Sequence, residues 1–322
     1  MRNSVLITGA NGYVGSITLS ELVQNQGGME TIVAQDIRIP EPADQLKGIK
    51  YVKADIRSQE MERILVDNRI DTVVHLVSIV TPPKGEGRQF AYSVDVEGTR
   101  NLLEACVKSG VKKFIITSSG ASYGYHADNP TWLVETDALR GNTEFAYSDH
   151  KRQQEEILAE YRKSHPQLKQ LVLRPGTIIG KNADNQIIDM FKRAVIKGIC
   201  GTDTPFVFIW DVDMARILVK GILEENEGIY NVAGDGALTL SELAKKLHKP
   251  FVRFPAWMLR SVLAVGNRLG FTQYGPEQLK FLQYRPALLN TRLKEEFGYI
   301  PEFTSEQAFN YFVKMNLKID NQ

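Results

Sequence analysis

The chain has 322 residues, 43% of them hydrophobic and 24% charged, enough to bury one large core or two joined lobes. Its 39 basic and 38 acidic residues leave a net charge of +1, without the basic footprint of a nucleic-acid binder. Two cysteines, Cys106 and Cys200, make no disulfide framework and point to a reducing compartment.

The first apolar run lies so close to the N-terminus that no signal peptide is expected. Strand-like runs follow at residues 5–8, 31–36, 50–54, 72–77, 114–118 and 170–173. Segments of helical period, 13–25, 58–67, 90–109 and 145–164, alternate with them. Strands apolar on both faces and separated by helices predict an α/β fold, a doubly wound parallel sheet of Rossmann type with helices on both faces. After Arg174-Pro175 the alternation weakens. Helices are expected at 185–197, 213–225, 240–247 and 256–269, with short strands near 206–209 and 229–232. The division predicted is a dinucleotide-binding domain over 1–175, rejoined by the chain around 206–233, and a smaller helix-rich substrate lobe over 176–322. The longest apolar stretch, 255–271, is interrupted by Arg260, Asn267 and Arg268, so no bilayer span is expected. The reading is a soluble, cytoplasmic protein.

The stretch "TGANGYVG" (8–15) joins the first strand to the first helix. There Gly9 allows a tight turn, Gly12 a close approach of pyrophosphate to the backbone, and Gly15 close packing of the helix, whose N-terminus favours anions. Asp36 ends the second strand, where a carboxylate either accepts from ribose hydroxyls or serves as a turn residue; the glycines favour the ribose. A carboxylate there repels a 2′-phosphate and so selects NAD, although Arg38 stands ready to pair with that phosphate, and NADP stays open. Asp55 is either an adenine contact or a helix N-cap, with Ser58 competing for the cap.

"SSGASYG" (118–124) follows the fifth strand, and "YSDHK" (147–151) opens the next helix. Tyr147 and Lys151 are four apart and share a helix face. Among 12 tyrosines this is the only such pair, about the number chance supplies; its place beside Ser118 and Ser119 gives it meaning. A free tyrosine is a poor base at neutral pH, and a neighbouring ammonium is expected to lower its pKa. Ser119 then holds the substrate oxygen while Tyr147 exchanges its proton. The alternative is a half-buried aromatic with a solvated lysine. The five histidines (His75, His126, His150, His165 and His248) have no metal-ligand spacing, and His150 is assigned no role.

These residues resemble the extended short-chain dehydrogenase/reductase superfamily, specifically the NAD-dependent epimerase/dehydratase group. The matching residues are Thr8-Gly-x-x-Gly-x-x-Gly15, Asp36, Asp55, Val74-His-Leu-Val77, "GTRNLLEA" (98–105), Ser119 with Tyr123-Gly124, Tyr147-x-x-x-Lys151 and Leu173-Arg-Pro175. "FIWDVDMA" (208–215) and "GIYNVAG" followed by "LTLSELA" look like later landmarks of the family. The resemblance implies NAD(H) or NADP(H), Tyr147 as acid/base, Lys151 on the nicotinamide ribose and Ser119 on the substrate. It also implies a homodimer through the helices of residues 90–109 and 146–163. Candidate cofactor contacts are Gly9, Asn11, Gly12, Tyr13, Val14, Gly15, Asp36, Ile37, Asp55, Ile56, Leu76, Val77, Ser78, Ser118, Tyr147, Lys151, Pro175 and Gly176.

Two departures stand out. The family's Asn-Val-x-Gly-Thr reads Asp95-Val-Glu-Gly-Thr99, and "RPGTIIG" replaces the asparagine-bearing segment of nucleotide-sugar enzymes. With the apolar run carrying Trp257, Leu259, Val262, Leu263 and Val265, this favours a hydrophobic or mixed carbonyl/alcohol substrate. A nucleotide sugar is the runner-up, and a non-catalytic dinucleotide sensor is a third possibility from another class.

Overall fold

Val5, Leu6, Ile7, Val33, Val73, Val74, Phe114, Ile115, Leu171 and Val172 are all fully buried, because both faces of the sheet that holds them are covered. The computed structural model describes residues 3–25, 27–82, 86–268, 275–276 and 278–317. The first strands are β1 (Ser4–Thr8), β2 (Thr31–Asp36), β3 (Ile49–Lys53), β4 (Thr72–His75), β5 (Lys113–Thr117) and β6 (Lys169–Pro175). Among them run α1 (Tyr13–Gln24), α2 (Glu60–Asp67), α3 (Gly87–Tyr92), α4 (Gly98–Ser109) and α5 (Ala146–Ser164). There follow β7 (Thr177–Ile179), α6 (Gln186–Lys192), β8 (Ile196–Ile199), β9 (Pro205–Phe206), β10 (Phe208–Trp210), α7 (Asp211–Leu223) and β11 (Gly228–Val232). The last elements are β12 (Leu238–Thr239), α8 (Leu240–Lys246), β13 (Phe251–Phe254), α9 (Ala256–Arg268), α10 (Gln278–Gln283), α11 (Thr291–Glu295) and α12 (Ser305–Phe312).

Seven strands form one parallel sheet in the order β11-β6-β5-β4-β1-β2-β3. The order reverses beside β1, and at such a switch point the carboxyl ends of the strands open a crevice for ligands. One apolar cluster packs α1 and α7 on one face; another packs α2, α4 and α5 on the other. A third cluster lies beyond the sheet, where Phe191, Phe206, Phe208, Phe309 and Phe312 stack on one another.

Three expected elements differ. The helix at 185–197 ends at Lys192; Arg193 turns to extended geometry, and β8 pairs in parallel with β13. A distant partner strand there outweighs the local helical period. The strand near 206–209 divides, β9 pairing antiparallel with β12 and β10 parallel with β7. The helix at 90–109 extends back to Gly87 and is interrupted by a π-helical turn, Ser93–Glu97, between α3 and α4. Residues 269–271 of the apolar stretch lie outside the described residues. Among the described residues, no helix is long and apolar enough to cross a membrane.

Candidate active site

The glycine loop leaves β1 and enters α1. Gly9 has φ +67°, and a side chain there would press within 3.0 Å of the Val77 nitrogen on the neighbouring loop. A Cβ at Gly15 would lie 2.3 Å from the Gly9 carbonyl oxygen, so Gly15 lets the helix pack on its own loop. Gly12 caps α1 without any side-chain bond, which leaves the first-turn N–H groups of Tyr13, Val14 and Gly15 for an anion. The side chain of Tyr13 turns away: its hydroxyl donates to Asp211 at 2.7 Å, so a cofactor contact at residue 13 falls to the backbone.

Asp36 stands beside this loop. One carboxylate oxygen accepts from Asn11 N–H at 3.0 Å and the other from Arg38 N–H at 3.2 Å. These bonds fix the carboxylate's orientation and hold it as an acceptor. Ile37 next to it is exposed. Asp55 is not the N-cap weighed for it; Arg57 engages it through its guanidinium (2.6 Å) and its N–H (2.9 Å), holding its carboxyl below the usual carboxylate pKa. The N-cap position of α2 is Gln59, and Ser58 accepts from Glu60 N–H. Ile56 is buried and packs at Gly98.

After β4, Leu76 and Val77 line the loop facing Gly9, and the Ser78 hydroxyl is buried without a partner. After β6, Gly176 N–H donates to the Val232 carbonyl at 2.9 Å, and a Cβ at Gly176 would strike Val207. The buried hydroxyl of Ser118 donates to Glu155 at 2.5 Å, so its proton is already committed.

Ser119 continues β5 in an extended conformation, its hydroxyl accepting from Ala121 N–H at 3.1 Å. Tyr147 sits half-buried in the first turn of α5, with the Ser119 side chain near enough to favour its ionised form. The ammonium of Lys151, buried below, is 5.8 Å from the Tyr147 ring centre and donates to the Thr117 carbonyl at 3.0 Å. The expected lowering of the phenol pKa is not what this geometry gives. Burial pushes Tyr147 up to about 12, Ser119 draws it back, and Asp95 adds to the rise. Lys151 contributes little because its ammonium turns to Thr117, and burial lowers its own pKa against the opposing pull of Asp95 and Glu155.

Beneath the pair lies a buried polar floor that sequence reasoning missed. Arg174 grips Glu155 with two nitrogens (2.6 and 2.9 Å) and donates to the Tyr123 hydroxyl at 2.7 Å. His75 lies between Thr8 and Thr99, and His150, set aside on sequence grounds, is buried 3.3 Å from Asp95. Above the pair, Tyr125 packs edge-on against Phe281 and beside Phe145. Arg285 lies 4.3 Å from the ring centres of both Phe206 and Phe281. Its Nη2 donates to Thr177 at 3.2 Å, and its Nη1 is shut off from solvent without a partner. Burial lowers the guanidinium's pKa to about 10. Nothing in the spacing around "YRPALLN" marks it, since its neighbours come from far along the chain.

The carboxyl ends of the strands thus carry the glycine loop, Asp36 and Ser119 along one edge, with the half-buried Tyr147 and the buried Lys151 beside them. A family model for the NAD dependent epimerase/dehydratase family matches residues 5–233. The chain belongs to that family. It is an enzyme of the extended short-chain dehydrogenase type. It is 25% identical over 316 residues to an uncharacterized protein of Mycobacterium tuberculosis, covering 96% of this chain and 83% of that one. It is 29% identical to the UDP-glucose 4-epimerase of Erwinia amylovora over 193 residues, 57% of this chain and 56% of that protein. The UDP-glucose 4-epimerase of Thermotoga maritima, solved with UDP-glucose, superposes with a TM-score of 0.74 at 20% identity, covering 98% of this chain and 99% of that one.

Proposed function

We propose that this family member binds NAD along the glycine loop and catalyses reversible hydride transfer at a carbinol or ketone carbon of a nucleotide sugar. The carrying observation is the juxtaposition of Ser119, Tyr147 and Lys151 at the strand ends beside the loop. A nicotinamide held there supplies or takes the hydride. Ser119 donates to the substrate oxygen, Tyr147 gives or takes that oxygen's proton, and Lys151 orients the nicotinamide ribose. The residues suit a dinucleotide: the tight glycine loop leaves the first-turn N–H groups of α1 open to a pyrophosphate, a side chain at Gly9 or Gly15 would push that loop out of shape, and the buried Ser78 hydroxyl still lacks a partner. The fixed carboxylate of Asp36 supports NAD over NADP, and titrating both cofactors against intrinsic fluorescence tests that choice. The division at residue 175, a homodimer through α4 and α5, and a cytoplasmic location belong to the same reading.

The substrate class departs from the sequence expectation. Trp257, Val262 and Val265 are 72%, 62% and 57% exposed, so three of the five apolar residues invoked for a hydrophobic substrate face outward. Arg285 instead places an unmatched cation in aromatic surroundings near Tyr125 and Thr177, which suits a diphosphate. A UDP-sugar is what the solved Thermotoga relative was captured with. One observation favours the apolar reading: Leu259 and Leu263 line a groove of about 300 Å³ with Met190, Leu279 and Phe281. A thermal-shift panel with NAD present decides between them. A ligand at 100 times its dissociation constant stabilises by about 2.7 kcal/mol. A shift with UDP-, GDP- or dTDP-sugars supports the proposal, and a shift only with sterol or aryl ketones overturns it.

A further inference from the structure

We propose that α9 and the end of β13 form a surface that docks on an anionic lipid bilayer, Trp257 and Val265 entering the headgroup layer while arginines pair with lipid phosphates. This stands apart from the hydride-transfer reading. It starts from a face that the fold leaves bare. On one side of α9, Leu259 and Leu263 face the groove they share with Met190, Leu279 and Phe281. On the other, Trp257, Arg260, Ser261, Ala264, Val265 and Arg268 recur at helical spacing, and all are exposed. Val252 of β13 is exposed as well, and its register partner on β8 is Lys197. An apolar face of this kind, continuous from strand to helix, marks an interaction surface.

Charge decides what covers it. Residues 251–268 contain Arg253, Arg260 and Arg268 and no acidic residue. Arg193 and Lys197 add two exposed cations along the groove, where the exposed Val262 joins the groove to the outward face. Among the described residues Arg193, Lys197, Arg260 and Arg268 form no ion pair, while Arg253 is held by Asp203 at 3.2 Å. Asp189, on the same groove, is paired with Lys192 at 3.7 Å. Unneutralised cations thus stand beside apolar side chains in a chain whose net charge is only +1. Anionic headgroups supply the missing charge, the acyl boundary supplies the missing apolar contact, and tryptophan sits at the level between them. A protein partner fits less well. Protein interfaces keep charge out of a central apolar patch, whereas here arginine alternates with tryptophan and valine along one helix face. At 13 residues, α9 lies along the bilayer surface and does not cross it.

The test is co-sedimentation of the full chain with vesicles of equal parts phosphatidylcholine and phosphatidylglycerol, beside vesicles of phosphatidylcholine alone. Wild type binds the anionic vesicles, less so as salt rises, and binds the neutral ones about tenfold or more weakly. Arg260→Gln/Arg268→Gln lowers binding to anionic vesicles by about 25-fold, at roughly fivefold per charge. Trp257→Ser/Val265→Ser lowers it by about tenfold at low and high salt alike, and the blue shift of tryptophan fluorescence on adding vesicles is lost. All four residues are exposed, so both double variants keep the thermal midpoint of wild type. Absence of binding to anionic vesicles overturns the proposal, as does binding that either double variant leaves intact. Sedimentation velocity without lipid reports the other occupants. A wild-type dimer split by Trp257→Ser/Val265→Ser would assign the face to a second copy of the chain, and a complex with polyglutamate in place of vesicles would assign it to an acidic protein; either result overturns the proposal.

Discussion

The two sides of the cleft are made of different material. On the sheet side the surface is backbone: glycines at 9, 12 and 15, free N–H groups at the start of α1, and a carboxylate whose geometry two N–H groups fix. On the far side the surface is side chain, with Arg285 held between Phe206 and Phe281 and bonded to Thr177, residues brought together from distant segments. A backbone surface is indifferent to most side chains but not to an added Cβ. A side-chain surface has the opposite sensitivity. The first suits a ligand part common to a family, the second a part that differs among its members.

The variants that break or sharpen this contrast fall in order of size. Tyr147→Phe touches the chemistry between the two sides, and kcat drops by about 10²–10⁴-fold with NAD affinity nearly unchanged. Near-normal turnover would remove Tyr147 from its role. Glu155→Gln strips the charge from the floor beneath both sides and leaves Arg174 buried without its counter-ion. Denaturant unfolding is expected to show a loss of about 3–5 kcal/mol; a loss under 1 kcal/mol would mean the pair is dispensable.

Gly15→Ala and Arg285→Leu test the contrast itself. An added Cβ 2.3 Å from the Gly9 oxygen costs about 1–3 kcal/mol of strain, roughly tenfold or more in NAD affinity, with substrate affinity spared. Arg285→Leu weakens a UDP-sugar by a similar factor and leaves NAD alone. Isothermal titration of each ligand reads both, and a crossed pattern would abolish the distinction.

The smallest effect is set by pH. His75 titrates near 6.5 unfolded and near 3 folded, so below pH 6.5 the unfolded chain binds a proton that the native state refuses. Stability therefore falls on acidification through that window, by about 2 kcal/mol from pH 6.5 to 5. His75→Gln flattens this part of the profile; an unchanged slope would assign it to other groups.

How much was legible follows the same divide. The glycine loop, Asp36 and the Tyr147–Lys151 turn are local patterns, each set by spacing within one strand–helix connection, and the structure brings them to one edge. Asp95 and His150 were visible as residues but not as a pair, because the π-helical turn that aims Asp95 inward leaves no periodic trace in "YSVDVEG". Arg285 and the strand at Ile196–Ile199 depend on partners far along the chain, Phe206 and Phe251–Phe254. The phenol pKa failed for another reason: spacing shows that a lysine is near but not where its ammonium points.

The most direct test of hydride transfer is the absorbance of reduced nicotinamide when NAD-loaded wild-type protein and Tyr147→Phe are each mixed with UDP-, GDP- and dTDP-sugars. The account predicts a transient rise in wild type with at least one nucleotide sugar, abolished in Tyr147→Phe. An equal rise in both proteins, or none with any of the sugars, would contradict it.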